Sequence, residues 1–402
     1  MSGAVRGVAA RPRLPGVRLP GVQLPRRRSR TRRSICLYTP SRDASGMGAH
    51  MLDLTAEYAA DADVTLMAWP TEPGRRMLAE AARLGARTVP LLHPRDPGFG
   101  PAVERALTSV PTDVFHVHVG FGREDFDGAR AARRAGVPAV LQTQHFPWLL
   151  GSHKHRAPFF HAIEPVDQLI TVSRQQRATY ERIGVPPERM VTVPNGIRSR
   201  GRGPGRAAAR RALGLDPGQP VVLSVGRLNV MKGHRYLVAA VPEIARRVPD
   251  VAVVVIGAGH LEGALRAQAD ELGVGDRVHL PGHRPDARML LDAADVFALP
   301  SRSEGMPLAL LEAMDAGLPV VATRVIGSAE VVAEGETGLL VRPRDPAALA
   351  AAVAGLLADP ATARRYGRAG RERYLSHFTS ARMAADTRAL YEQVLRRTGV
   401  ER

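Results

Sequence analysis

Two carboxylates, Glu304 and Glu312, stand with seven residues between them in the stretch PSRSEGMPLALLEAMDAG, Pro300 to Gly317. The stretch follows DVFAL, an apolar run of strand character, and turns through Ser-Arg-Ser-Glu-Gly into a helix opening near Pro307. The pattern predicts Glu304 in the turn at the carboxyl end of a strand, and Glu312 about one and a half turns inside the helix. Leu308, Ala309, Leu310, Leu311, Ala313 and Met314 surround Glu312, so this helix is apolar all round and reads as buried. An ionised carboxylate there needs hydrogen-bond donors. Ligand hydroxyls would supply them; so would an Arg or solvent at a helix edge.

Cations precede these acids. Arg227 ends the strand-like PVVLSVGR and Lys232 opens the helix after it, so two positive side chains flank one strand-to-helix turn. A guanidinium offers a planar fork for phosphate oxygens and an ammonium a compact charge beside it; the plainer alternative is a pair of solvated surface charges. Gly257-Ala258-Gly259 ends VAVVVI and permits close backbone approach to a phosphate or sugar, although a bare Gly-x-Gly is weakly specific. His116 and His118 share one strand in phase, where a lone His is commonly a satisfied core residue.

The elements that must position these groups alternate. ICLYTP, VTLMAW, RTVPLL, DVFHVHVG, PAVLQTQH, QLITVS and MVTVPNGI read as strands, with helical stretches such as MLAEAARLG and DGARAARRAG between them. Ser45-Gly46-Met47-Gly48 reads as a loop before a helix through Leu52, Leu54 and Tyr58. RSRGRGPGR breaks the pattern, and a second series follows: PVVLSVGR, VAVVVIGAG, RVHLPGH, DVFALPS, PVVATRV and TGLLVRP. Such alternation implies parallel strands wrapped by helices on both faces. The expected fold is α/β, two doubly wound Rossmann-like domains at 34–197 and 212–377 facing each other across a cleft. Residues 198–211 form an Arg/Gly-rich linker, and 378–402 a terminal helix returning to the first domain. Ligands of such halves bind in the crevice at the carboxyl ends of the strands.

A length of 402 residues accommodates two or three domains. The net charge of +17 suggests a nucleic-acid or membrane-surface protein until its distribution is read. Residues 1–33 hold ten Arg and no acid, and 198–211 six Arg and no acid, whereas 34–197 balance seventeen basic against seventeen acidic residues. The folded parts are close to neutral, which removes most of the case for a basic binding face. The Pro/Gly/Arg composition of 1–33 reads as a disordered tail, since it lacks the apolar residues of a core and of a secretory signal. No run approaches the ~18 apolar residues of a membrane helix. The single Cys36 makes no internal disulfide and reads as a small core residue in a reducing, cytoplasmic setting. Asp61/Asp63 and Asp125/Asp127 are Asp-x-Asp pairs near helix ends, read as caps rather than a metal site.

VGRLNVMKG, VVVIGAGHLEGAL, RVHLPGH and PSRSEGMPLALLEAMDAGLPVVAT, with GSAEVV and GETGLLV behind them, resemble the retaining nucleotide-sugar glycosyltransferases of the GT-B fold, family 4. The resemblance runs from about Ser34 to Val394 and is strongest over 166–345. It implies that Arg227 and Lys232 bind the donor diphosphate, that Glu304 holds hydroxyls of the transferred sugar with backbone N–H groups of Gly305, Met306 and Leu308 nearby, and that Glu312 binds the ribose. His283 and Arg284 would meet the base, and Gly46, Gly48, Gly257 and Gly259 would let backbone approach the donor. Met47 intervenes where the family's glycines are usually adjacent, and Ser328 stands where a second Gly often follows Gly327. In the first, acceptor-binding domain, His145 matches the family's active-site His and His118 is assigned to the acceptor side.

The expected partners are a UDP- or GDP-sugar donor and a small-molecule or glycan acceptor, with no cofactor, no metal, no nucleic acid and no membrane insertion. The loop Arg123 to Asp127 would bring Glu124 and Asp125 to the acceptor, which suits a soluble amino sugar or aminocyclitol; capping of the next helix is the plainer role. Lipid- or polysaccharide-directed transfer, a GT-B epimerase or phosphorylase, and an Arg-rich nucleic-acid or membrane-surface binder are the competing readings.

Overall fold

The computed structural model describes residues 32–42, 45–110, 112–120, 127–149 and 153–399. Seven strands, β1 Arg33–Thr39, β2 Ala62–Ala68, β3 Arg87–Pro90, β4 Val114–Val119, β5 Ala139–Gln144, β6 Gln168–Thr171 and β7 Met190–Thr192, form the first sheet. Its order is β3-β2-β1-β4-β5-β6-β7. β8 Val221–Val225, β9 Ala252–Ile256, β10 Val278–His279, β11 Val296–Leu299, β12 Val320–Thr323 and β13 Gly338–Val341 form the second, in the order β10-β9-β8-β11-β12-β13. Every pairing is parallel.

Parallel strands need crossovers, and helices on both faces bury the sheets, which is why the strands are apolar runs without alternation. Two apolar clusters flank the first sheet and two the second. Chain order reverses between β1 and β4 and between β8 and β11, the two places where strand-end loops diverge and leave a crevice. Among the described residues no single helix is long and apolar enough to cross a membrane.

The chain passes between the halves twice, side by side: Ile197 N donates to Phe378 O at 3.0 Å and Ser380 N to Ile197 O at 2.9 Å. The helix Ser380–Arg397 then packs on the first half, burying Met383, Leu390, Tyr391 and Leu395 beside Tyr58 and Leu54. Tyr58 Oη donates to Ala384 O at 3.0 Å, and Tyr391 Oη bonds His116 Nδ1 at 2.6 Å.

Several expectations need correction. Residues 45–48 open the helix Ser45–Tyr58 rather than forming a loop. Arg33 belongs to β1, paired with Glu392, and not to the tail, the rest of which lies outside the described residues save Arg32. Within 198–211, the helix Arg206–Ala212 is folded onto the second half, and Arg210 is fully buried, donating to Ala293 O at 3.1 Å and Asp295 Oδ2 at 2.8 Å. Arg198, Arg200 and Arg206 pair with Asp53, Asp292 and Asp295. These guanidiniums thus hold the fold together. Asp61 pairs with Arg388 across to the last helix, and Asp63 lies in β2, so neither caps a helix. Asp127 starts the helix Asp127–Arg134, while Asp125 lies outside the described residues.

Candidate functional site

One cleft of ≈ 2080 Å³ is lined from both halves. From the second half, Arg227, Lys232, Glu304 and Glu312 all face it, with Gly257, His283, Arg284, Gly305, Met306 and Leu308. From the first come Gly46, Gly48 and His145.

The β8 turn is built around Asn229, whose Oδ1 accepts from Met231 N and Lys232 N, each at 3.1 Å. Such a side-chain turn fixes the backbone that carries Lys232. Gly233 follows at φ 66°, where a Cβ would strike Pro300 O, and Arg302 N donates to Met231 O at 2.7 Å. The loop after β8 is thereby tied to the loop after β11. The tie sets Lys232 Nζ 2.7 Å from Glu304 Oε1, and Ser301 Oγ donates to the same oxygen at 2.7 Å. Glu304 is 4 % exposed, so this is a nearly dry ion pair with one cation face open to the cleft.

Glu312 lies on the helix Leu308–Asp315, reached by Arg288 Nε at 3.6 Å. That is an ion pair but too long for a hydrogen bond, and no other described residue donates to the carboxylate. Burial pushes its pKa up to about 7, helped by Asp53 and Asp315 and opposed by Arg288 and Lys232. The Arg alternative and the ligand alternative for Glu312 therefore coexist: Arg288 supplies charge and leaves acceptor capacity toward the cleft. Arg288, twenty-four residues upstream, carries no spacing signal that would have linked it to Glu312.

Gly305 is required sterically, since a Cβ would collide with His145 O from the opposite half; one at Gly327 would collide with Gly305 O. Asn195 closes the same seam, donating through Nδ2 to Met306 O at 2.9 Å while its Oδ1 accepts from His50 Nδ1 at 3.1 Å. Glu330 accepts from Arg174 N at 3.0 Å and Gln175 N at 2.7 Å. These contacts bring the two halves together, with His145, Asn195, Gly305 and Met306 lining the cleft.

His118 does not line the cleft: it is fully buried behind His145, its Nδ1 3.1 Å from His145 Nε2. Its place is to orient His145, which does face the cleft. Burial and the neighbouring imidazoles hold His118 and His145 well below the usual range, and burial, opposed by the hydrogen bond to Asn195, brings His50 down to about 4, so the cluster is neutral near pH 7. Ring nitrogens of His50, His118 and His145 lie within 4.8 Å of one another, the one described group that could hold a transition metal. Gly259 also lies off the cleft lining; a Cβ there would strike Leu228 O, so it serves the packing of the β8 turn. Arg284 is held by Asp286 at 2.8 Å at the cleft edge. Glu124 and Asp125 lie outside the described residues. Sequence reasoning did not single out His50, Asn195, Asn229 and Arg288, whose roles rest on contacts made across the fold.

Residues 45–196 match the family model described as a glycosyl transferase 4-like domain, and 205–373 that of glycosyl transferases group 1. An α-maltose-1-phosphate synthase of Mycolicibacterium smegmatis is 32% identical over 382 residues, 87% of this chain and 95% of that protein. A D-inositol 3-phosphate glycosyltransferase of Segniliparus rotundus is 40% identical over 191 residues, 46% of this chain and 42% of its own length, so that match spans less than half of the relative. Among solved structures, HepE of Anabaena in complex with UDP superposes with a TM-score of 0.77 at 19% identity, over 90% of this chain and 100% of that one. At that identity the likeness is one of fold, and the fold is GT-B.

Proposed function

This chain belongs to the group 1 glycosyl transferases, and from that premise we propose that it moves a hexosyl group from a UDP- or GDP-sugar to an acceptor hydroxyl with retention of configuration. The observation that carries the reading is the Lys232–Glu304 pair, 2.7 Å apart, facing one cleft with Arg227 and Glu312. A departing nucleoside diphosphate gains negative charge as the C1–O bond breaks. Arg227 and Lys232 offset that charge from fixed positions, which lowers the barrier without reorganisation. Lys232 is held by Glu304 rather than by solvent, so it is already in place before the donor arrives. Glu304 offers its second oxygen to sugar hydroxyls, Glu312 receives the ribose, and His145, oriented by His118, stands opposite on the acceptor side. The bond lost from C1 to the diphosphate is replaced by one to the acceptor oxygen, whose proton leaves with the diphosphate or to water. In this reading the nucleotide-sugar is a co-substrate, and neither cofactor nor metal takes part.

The test is a panel of UDP- and GDP-sugars with purified protein, followed by NMR of released or transferred sugar. The reading expects turnover of at least one donor, an α-linked product from an α-linked donor, and insensitivity to EDTA. Failure to bind or turn over any nucleotide-sugar refutes it.

A further inference from the structure

Imidazoles gather at the carboxyl ends of β4 and β5, beside the helix that follows β1. His116 and His118 lie on β4, His145 follows β5, and His50 comes from the helix Ser45–Tyr58. Adjacent strands lie about 4.8 Å apart, so β4 and β5 bring His118 and His145 together. The reversal of chain order between β1 and β4 sets His50 beside them, its ring 4.7 Å from that of His145 and 5.2 Å from that of His118. His116 is engaged at both nitrogens, by Tyr391 Oη at 2.6 Å and Thr143 Oγ1 at 2.7 Å. The other three are not used up in this way. His50 Nδ1 donates to Asn195 Oδ1, because Asn195 Nδ2 is committed to Met306 O; this fixes the tautomer and leaves His50 Nε2 as a lone pair. His118 Nε2 is buried with no hydrogen-bond partner among the described residues, and a buried nitrogen of that kind calls for a water or an ion.

One ring nitrogen from each of His50, His118 and His145 lies within 4.8 Å of the other two, and His118 Nδ1 stands 3.1 Å from His145 Nε2. Zinc–nitrogen bonds of about 2.0–2.1 Å at tetrahedral angles hold imidazole nitrogens about 3.3 Å apart. The His118–His145 pair is already near that separation, and His50 has at most about 1.5 Å to close, within reach of a small ring movement. One proton lies between the paired nitrogens; its shift to the far nitrogen of its own ring gives both facing lone pairs to an ion, with no net proton release. Burial keeps all three rings neutral near pH 7, the form that ligates. Three imidazoles without a carboxylate suit zinc, nickel or copper rather than magnesium or calcium. His50 and His118 are buried while His145 lines the cleft, so the fourth position of a tetrahedral ion opens toward the cleft.

We propose that His50, His118 and His145 form a three-imidazole site for zinc or a similar transition-metal ion, and that an ion bound there switches transfer off. Such an ion takes His145 from the acceptor side and sets a hydrated cation where the acceptor hydroxyl approaches. The metal-free protein is then the active form. The site stands on its own geometry, whereas its effect on turnover rests on the transferase reading above.

The test uses the full chain, freed of metal with EDTA and dialysed. Calorimetry with ZnCl2 and with MgCl2, and visible absorption on adding CoCl2, report binding without donor or acceptor. We expect zinc to bind with a Kd in the micromolar range or tighter, magnesium not to bind, and cobalt to show the visible bands of a low-coordinate nitrogen site. His50→Asn keeps a donor for Asn195 and loses the ligating Nε2; His118→Phe keeps a buried ring and loses both nitrogens. Each should weaken zinc by at least about tenfold and remove the cobalt bands, whereas His161→Gln, at an exposed position, changes neither. Unfolding curves show that each variant is folded, and His50→Asn, the milder change, decides if His118→Phe is not. With whichever of UDP-glucose and GDP-mannose the wild type turns over, saturating zinc should cut the rate at least about tenfold and EDTA should restore it. In His50→Asn the ratio of zinc-treated to zinc-free rate should return to near one. No zinc binding, binding as tight in the folded variants as in wild type, or equal uptake of magnesium overturns the site. Zinc held by these imidazoles with turnover unchanged overturns the inhibition. A wild-type protein that turns over no nucleotide-sugar fails the transferase reading instead, and calorimetry and the cobalt spectrum still decide the site.

Discussion

Replacing Lys232 by Met leaves the Glu304 carboxylate, 5% exposed at its side chain, with Ser301 Oγ as its remaining close partner. Breaking a buried pair on one side costs about 3–5 kcal/mol, because the surviving charge is stranded. Lys232 retains 20% side-chain exposure, so water recovers part of this and the expected loss is about 2–3 kcal/mol. For the folded unit Arg33–Arg402 that corresponds to a fall in Tm of roughly 3–4 °C. Glu304→Gln should cost less, since an amide keeps the Ser301 contact and the stranded ammonium keeps its 20% side-chain exposure to water. In the Lys232→Met/Glu304→Gln double variant neither charge is stranded, so its loss should be smaller than the sum by about 1–3 kcal/mol. Calorimetric or urea unfolding of all four proteins without ligand measures this coupling. Turnover behaves differently: each single substitution should lower kcat by about 100-fold or more, and the double should not recover it, because the leaving diphosphate still lacks its cation. Additive stability losses, or a Lys232→Met protein within about threefold of wild-type kcat, would refute the reasoning.

Three further outcomes follow from the same geometry. Glu312, with its pKa raised from 4.5 to about 7 chiefly by burial, binds more protons folded than unfolded between those values, so its contribution to stability falls as pH rises through that window. Only the carboxylate form accepts hydroxyls on all its lone pairs, so UDP or GDP affinity should strengthen as pH rises from about 6 to 8; Glu312→Gln should flatten this part of the profile in calorimetric titrations. Gly305→Ala forces a methyl against His145 O and should cut kcat about 10- to 100-fold while changing nucleotide Kd by less than about threefold, as expected when reacting groups are displaced by about 1 Å. Arg210→Ala removes the donor to Ala293 O and one of the cations on Asp295, which keeps Arg206 and Val221 N, and should destabilise by about 2 kcal/mol in urea unfolding, even though charge counting alone placed that residue in a linker.

What the sequence made legible is what local order encodes. β-branched runs alternating with helical periods specify two parallel sheets, and because ligands bind at the carboxyl ends of such strands, Arg227, Lys232, Glu304 and Glu312 could be placed near one crevice before any coordinates. The helix start at Ser45 was hidden because glycines at 46 and 48 read as a loop, whereas burial of Met47 and Met51 against the sheet outweighs their low propensity. The depth of Arg210 was hidden because composition counts charges without seeing which are buried; its partner Asp295 is eighty-five residues away. His50, Asn195 and Arg288 act only through long-range contacts, to which a single sequence gives no access. His118 shows the reverse: the family resemblance assigned it to the acceptor side, and packing puts it behind His145, as the core reading of a strand His expects.

The central claim is that these cations and acids grip one activated sugar, and equilibrium binding of UDP-glucose and GDP-mannose to wild type, Arg227→Ala and Glu312→Ala tests it most directly. We predict that at least one donor binds the wild type in the micromolar to millimolar range, and that each substitution weakens it by about tenfold or more. Binding of neither donor, or binding indifferent to both substitutions, would contradict the account.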